Sequence, residues 1–358
     1  MITETTAHAS SLSSASHPAT ATGQTTPSPA LLFDTITAYQ KTAAIKAAIE
    51  LDVFTALAEK PATADAIAAH GRASSRGIRI LCDYLTLLGF LTKSGDRYAL
   101  TPDSAVFLNR KSPAFAGSVL EFMLSDDLRG MFDQLTASAR QGGTAAQSAV
   151  GTMAPDHPVW LSFARVMGSL MTPAAAGLAE LIKLDHRHPT RVLDISASHG
   201  TWGFAFARKN PQTHLVALDW APVLEITKKN AQAAGLASRF STIAGSAFDV
   251  DLGRDYDVVL VPNFLHHFSP ADCVRFLKRA HAALRPGGSV AIVEFVPNPD
   301  RVTPPMAAGF SLVMLATTAQ GDAYTFAELE DMLTRAGFNT PTQHTLPASM
   351  NVAVIATK

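Results

Sequence analysis

The second half of this chain predicts a doubly wound α/β sheet, and the first half predicts a mostly helical winged-helix module. Two observations carry this. From residue 191 onward, apolar runs at 191–195, 214–219, 256–261, 289–295 and 351–357 alternate with helical or loop stretches. Such alternation builds a mostly parallel sheet with helices on both faces. Earlier, residues 33–51 place Ile36, Tyr39, Ala43 and Ala47 at helical spacing. A second helix spans 63–70 with Thr63 as N-cap, and a third spans 74–88 with Ile78, Leu81, Leu85 and Leu88 on one face. Residues 89–101 read as two short strands around a Ser-Gly-Asp turn. Three helices and a hairpin make a winged helix.

The 358 residues suit two or three domains. Hydrophobic residues at 47% and charged residues at 16% fit a globular chain with ample core. A net charge of −1 gives no field that would draw the chain to nucleic acid or an anionic membrane. Between Leu31 and Arg110, nine Lys and Arg face eight Asp and Glu, too few cations for a DNA-reading winged helix. The apolar faces of its helices are instead expected to pair with a second copy, giving a homodimer. Two isolated cysteines, Cys82 and Cys273, make a reducing cytoplasm the default location. No apolar run reaches the roughly 18 residues that span a bilayer. The expected organisation is a disordered Ser/Thr/Ala/Pro-rich tail at 1–30, the winged helix at 31–112, a helical linker at 113–184 with a loop at Gly142-Gly143-Thr144, and the α/β domain at 185–358.

Candidate chemistry gathers at the carboxyl edge of the expected sheet, where open α/β folds bind ligands. The first strand runs into Asp194-Ile-Ser-Ala-Ser-His-Gly200, a small-residue turn that lets a ligand approach the backbone. The second strand ends in Asp219, an acid placed to accept hydrogen bonds from ribose hydroxyls, with Trp220 next to it. After a third strand, Ser246, Ala247 and Phe248 offer a small polar group and an aromatic face where an adenine would lie. The fourth strand enters Asn263-Phe-Leu-His-His-Phe268, and imidazole is the natural base for a hydroxyl. Glu294 ends the fifth strand on the same edge, where a carboxylate would orient that imidazole.

Together these residues resemble the S-adenosylmethionine (SAM)-dependent O-methyltransferases of the plant caffeate/flavonoid type and their bacterial natural-product relatives. In the N-terminal module the resemblance rests on residues 43–54, 79–90 and Tyr98-Ala-Leu-Thr-Pro102. In the C-terminal domain it rests on Val192-Leu-Asp-Ile-Ser-Ala-Ser-His-Gly200, Asp219, Gly245-Ser-Ala-Phe248, His266, residues 268–273, Glu294, residues 321–329 and Ala336-Gly-Phe338. It implies a Rossmann-like class I methyltransferase domain and a dimerising winged helix. It also implies SAM held by Asp194, Ser196, Ser198, Gly200, Asp219, Trp220, Ser246, Ala247, Phe248 and Asn263, with S-adenosylhomocysteine as product. His266 falls on the catalytic histidine and Glu294 on its orienting glutamate. The chain departs from the pattern where Ser196 and Ser198 replace glycines, Ser246 replaces aspartate, and His267 stands where aspartate is frequent. Ala323 stands at a second catalytic glutamate, leaving Asp322 as the nearest carboxylate.

The expected reaction is metal-independent O-methylation of a small, flat hydroxyl or carboxyl acceptor. Phe163, Met167, Met171, Met306, Phe310 and Met314 are the expected acceptor wall, because methionine fills irregular apolar space and packs on aromatic rings. The run Asp185-His-Arg-His188 reads as a solvated loop, and His267 as pointing away from the site. Two alternatives stand beside this reading: a SAM-binding enzyme performing C- or N-methylation or another reaction, and a winged-helix regulator.

Overall fold

The computed structural model describes residues 27–146, 151–154, 157–184 and 188–358. Most of the expected tail, and Asp185, His186 and Arg187 of the Asp-His-Arg-His run, lie outside the described residues.

The N-terminal module forms as its periodicity predicts, with two differences. Its first helix is divided into Ala30–Ile36 and Ala38–Glu50. Thr37 stands at the break, where its backbone N–H at 3.1 Å and its hydroxyl at 2.6 Å both donate to the Phe33 carbonyl. Helices Ala64–Gly71 and Ser75–Leu87 follow, capped by the hydroxyls of Thr63 and Ser74. Strands β1 (Ala62–Thr63), β2 (Leu91–Ser94) and β3 (Arg97–Leu100) make a small antiparallel sheet in the order β1-β3-β2.

The second difference concerns which faces lack cover. Ile78, Cys82 and Leu85 are fully buried against Phe54, Ile67 and Tyr98 within the module's own core. The third helix therefore spends Ile78, Cys82 and Leu85 inside the chain, while Leu87 and Ile80 on the same helix stay exposed. A longer unmet apolar strip lies on the first helices, where Leu31, Leu32, Phe33, Ile36 and Tyr39 are each more than half exposed.

The middle segment is helical, with Asp126–Asp133, Leu135–Gln141, Val159–Val166 and Gly168–Leu181 as its longer helices. The C-terminal domain is a seven-stranded sheet. Its strands are β4 (Thr190–Ile195), β5 (Thr213–Asp219), β6 (Phe240–Ala244), β7 (Tyr256–Pro262), β8 (Leu284–Glu294), β9 (Asn339–Thr345) and β10 (Val352–Thr357). The order is β6-β5-β4-β7-β8-β10-β9, parallel from β6 to β8, with β10 antiparallel to both of its neighbours. Chain order reverses beside β4, between β5 and β7, which opens a crevice at the carboxyl ends of these strands.

Alternation along β4 divides the core. Leu193 and Ile195 face one layer, with Phe276 and Leu277 of helix Pro270–Ala283 and Leu329 and Leu333 of helix Phe326–Ala336. Val192 faces the other, with Leu178 of helix Gly168–Leu181 and Trp202 and Phe206 of helix Thr201–Lys209.

One seam ties the middle segment to helix Pro305–Thr317. The Thr144 N–H donates to the Thr318 carbonyl at 2.7 Å, and the Thr152 hydroxyl donates to the Thr317 carbonyl at 3.2 Å. Here Gly143 and Gly151 lie so close that a Cβ on them would stand 2.2 and 2.1 Å from the carbonyl oxygens of Ala319 and Thr317.

Leu193 has no exposed surface, so Leu193→Ala should cost about 2–5 kcal/mol through lost burial and the cavity left behind. Urea unfolding is the check, and an unchanged midpoint would mean that the two layers do not pack through β4.

Candidate active site

The turn after β4 supplies the first wall. Ser196 (φ 53°) and Ser198 (φ 52°) both adopt the left-handed backbone that glycine would take at no steric cost. The serines thus keep the shape of a glycine turn, with some local strain. The turn aims the Ser198 N–H at Asp219 Oδ2, 2.8 Å away, while Oδ1 accepts the N–H of the next residue, Trp220, at 2.7 Å. Burial pushes the Asp219 carboxyl up to about 6, against the pull of these two donors. Asp194 lies deeper. Its Oδ2 accepts the Gly203 N–H at 2.9 Å, while Oδ1 is buried without a partner among the described residues. Burial raises its pKa to about 8, the Gly203 N–H opposes that rise, and the charge of Asp219 adds to it. Asp194 therefore braces the loop from beneath. Gly203 permits this, because a Cβ there would meet Leu215 at 2.5 Å and Asp194 at 2.9 Å.

A cavity of about 380 Å³ opens over this wall, lined by Ser196, Asp219, Trp220, Ser246, Ala247 and Phe248 among others. Phe248 belongs to an aromatic cluster with Phe264, Phe268 and Phe276, at centroid distances of 4.8 to 6.0 Å. Ser246 Oγ accepts the Phe248 N–H at 3.2 Å, so the residue replacing an aspartate caps its own turn. Ser198 Oγ is buried with no partner among the described residues. Gly200, at φ 82°, caps helix Thr201–Lys209. Asn263, also left-handed at φ 51°, accepts from Asn351 Nδ2 at 3.0 Å and so ties β7 to β10 instead of lining the cavity. These residues fit an adenosyl group: a small-residue cradle, a carboxylate with lone pairs to spare, and an aromatic wall.

At the edge of this cavity, His266 and Glu294 are both buried, and His266 Nδ1 hydrogen-bonds Glu294 Oε2. The other oxygen of Glu294 accepts the backbone N–H groups of Phe264 at 3.0 Å, Leu265 at 2.8 Å and His266 at 3.4 Å. With Oε1 so occupied, Oε2 receives the Nδ1 proton, and Nε2 is left as the basic nitrogen. Phe310 sets its ring edge-on to His266 at 4.8 Å and stacks on Phe295 at 4.1 Å.

Several expected residues lie elsewhere. Asp322 pairs with Arg301 at 3.3 Å on an exposed surface, and its Oδ1 accepts the Ala323 N–H; it does not line the cavity. Met306, at 59% exposure, stands on the outer start of its helix, whereas Met314 is buried in the same helix. Met167 ends helix Val159–Val166, and Met171 sets its sulfur 3.3 Å from His199 Nε2. Phe163 packs edge-on to Phe122 at 5.1 Å and stacks on His199 at 6.0 Å. His267 does not point away: it lines the cavity, packed edge-on against Trp160 at 5.3 Å. Met153, Ala319 and Gln320 also line it. No sequence signal marked these three, because the seam joins segments 165 residues apart.

The family profile described as the O-methyltransferase domain matches residues 133–339, and that of the O-methyltransferase dimerisation domain matches 33–110. The chain is 30% identical to 3-hydroxy-5-methyl-1-naphthoate 3-O-methyltransferase of Streptomyces sahachiroi over 322 residues, covering 86% of this chain and 89% of the relative. It is 27% identical to the tetracenomycin polyketide synthesis 8-O-methyl transferase of Streptomyces glaucescens over 304 residues, covering 84% and 88%. A crystal structure from Nostoc punctiforme PCC 73102, assigned as an O-methyltransferase, shares 51% identity and superposes with a TM-score of 0.90, covering 93% of this chain and all of that one. Human N-acetylserotonin methyltransferase, solved with SAM, shares the fold at a TM-score of 0.79 and 23% identity, covering 94% and 99%. The match at 33–110 assigns the winged helix to dimerisation and not to DNA reading. The chain is a member of the SAM-dependent O-methyltransferase family, with the family's dimerisation module ahead of its Rossmann-like catalytic domain.

Proposed function

We propose that this enzyme methylates a hydroxyl or carboxyl oxygen of a small, flat acceptor, with His266 as the general base. The observation that supports this most is the buried His266–Glu294 pair beside the cavity, with Nδ1 engaged and Nε2 left to take a proton. Bound SAM supplies a methyl group made electrophilic by its sulfonium. Asp219, the serine turn and Phe248 hold the adenosyl part. His266 Nε2 removes the acceptor proton as the oxygen becomes nucleophilic, and Glu294 stabilises the imidazolium. Alignment of the two reactants is worth about 7–11 kcal/mol. The rings of Phe310, edge-on to His266, and Trp160, edge-on to His267, favour an aromatic acceptor. The S. sahachiroi relative, named for a hydroxynaphthoate, is consistent with that choice.

Three outcomes are expected. His266→Ala should lower kcat by about 10²–10⁴-fold with little change in SAM affinity, and Glu294→Gln should fall between the variant and the wild type. Near-full turnover by His266→Ala would remove the base from the mechanism.

Asp219→Ala should weaken S-adenosylhomocysteine binding at least about tenfold, through lost charge-assisted hydrogen bonds. In the wild type, calorimetry should show affinity falling as pH drops through about 6, because protonated Asp219 is the poorer acceptor. A flat profile between pH 5 and 7 would separate Asp219 from the ribose.

The exposed strip on the first helices is the proposed homodimer surface. Full-length protein carrying Phe33→Ser and Ile36→Ser should scatter light as a monomer where the wild type scatters as a dimer. A persistent dimer would place the interface elsewhere.

A further inference from the structure

We propose that Thr227 is a positioning residue for the cofactor turn, its hydroxyl locking Ser198 in the left-handed conformation that glycine would adopt unaided. The proposal rests on the assignment of this turn to the adenosyl group. It adds a third partner, from a helix outside the cavity, to the two buried carboxyls that brace the turn.

Ser198 is an L-residue at φ 52°. That backbone is strained for any residue with a Cβ, so an unsupported serine favours negative φ. To relax, Ser198 must rotate the peptide planes on either side of its Cα. Both planes are pinned. On one side, its N–H donates to Asp219 Oδ2 at 2.8 Å. On the other, its carbonyl accepts the Thr227 hydroxyl at 2.5 Å. Thr227 lies in helix Ala221–Ala233, has no exposed surface and does not line the cavity. A helical threonine ordinarily turns its hydroxyl back to the carbonyl four residues earlier. Here that contact, to Val223, is the longer one at 3.2 Å, so the hydroxyl is committed chiefly to the turn. Three residues on, and on the same face of the helix, Asn230 Nδ2 donates to the His199 carbonyl at 3.1 Å. One helix thus takes two consecutive carbonyls of the turn, while Asp219 takes the N–H before them.

Asp219 is shared between the turn and the ribose, whereas Thr227 holds the turn from behind and touches no cofactor. If the Ser198 carbonyl is released, the residue relaxes toward negative φ and its N–H leaves Asp219. The cradle for the adenosyl group is then missing in that fraction of molecules, and apparent affinity falls with the fraction that remains competent. Glycine at this position has no preference for negative φ. The hydroxyl is therefore needed because a serine stands at position 198.

The test is calorimetry of S-adenosylhomocysteine binding to the full-length protein. Thr227→Val, Thr227→Ala and Thr227→Ser are each made in the wild type and in Ser198→Gly. In the wild type, Thr227→Val and Thr227→Ala should weaken binding about tenfold. Thr227→Ser keeps the hydroxyl and should retain most of the affinity. In the Ser198→Gly background, Thr227→Val and Thr227→Ala should cost no more than about twofold. A plain packing defect at Thr227 would cost the same factor in both backgrounds, and that result would overturn the proposal. So would unchanged binding by Thr227→Val and Thr227→Ala in the wild type while Asp219→Ala binds weakly. If Asp219→Ala also binds as tightly as the wild type, the turn is not the cofactor site, and the assignment beneath the proposal fails with it.

Discussion

The Glu294 carboxylate is the contact on which the reactive edge of this enzyme depends. It ends β8 and reaches across to the turn that leaves β7, accepting three backbone N–H groups and the imidazole of His266. A turn with three consecutive amides unpaired could not sit in a buried crevice. One side chain satisfies them and orients the base together. Glu294 is thus structural and mechanistic at once, and its replacement by a shorter or neutral group loosens the turn as well as the imidazole.

The cofactor side solves a related problem with main chain. Ser196 and Ser198 accept the left-handed geometry that lets the loop after β4 turn its N–H groups toward Asp219. Asp194 secures the same loop from below through Gly203. The loop is rigid because each end is tied to a buried carboxyl, and its shape survives the loss of two glycines for that reason.

Much of this was legible in the sequence. The five apolar strands announced themselves by alternation with helices, and Thr63 by its place before a helical run, whereas Ser74, read as the first residue of its helix, turned out to be its cap. His266, Glu294 and Asp219 stood at strand ends, where the fold itself collects ligands. What stayed hidden was determined through space. β9, Asn339–Thr345, is a polar edge strand with a proline and carries no alternating pattern. The burial of Ile78 and Leu85 within the module could not be told from burial against a second copy. Asp322 looked like a substitute carboxylate by proximity in sequence, but its side chain pairs with Arg301, which is distant in sequence. His267 was misjudged because adjacency in a helix or strand separates side chains, whereas the short 3₁₀ turn Leu265–His267 keeps both rings together.

The seam between the middle segment and the end of helix Pro305–Thr317 is made of main chain on both sides, with one hydroxyl, that of Thr152, added to it. Carbonyls and amides are the same whatever side chains flank them, so the seam constrains Gly143 and Gly151 by the closeness of approach and Thr152 by its hydroxyl. The walls that meet there can therefore exchange their lining residues without moving relative to each other. A scaffold joined in this way separates the evolution of what is bound from the upkeep of how the halves are held, and new acceptor preferences can arise by side-chain replacement alone.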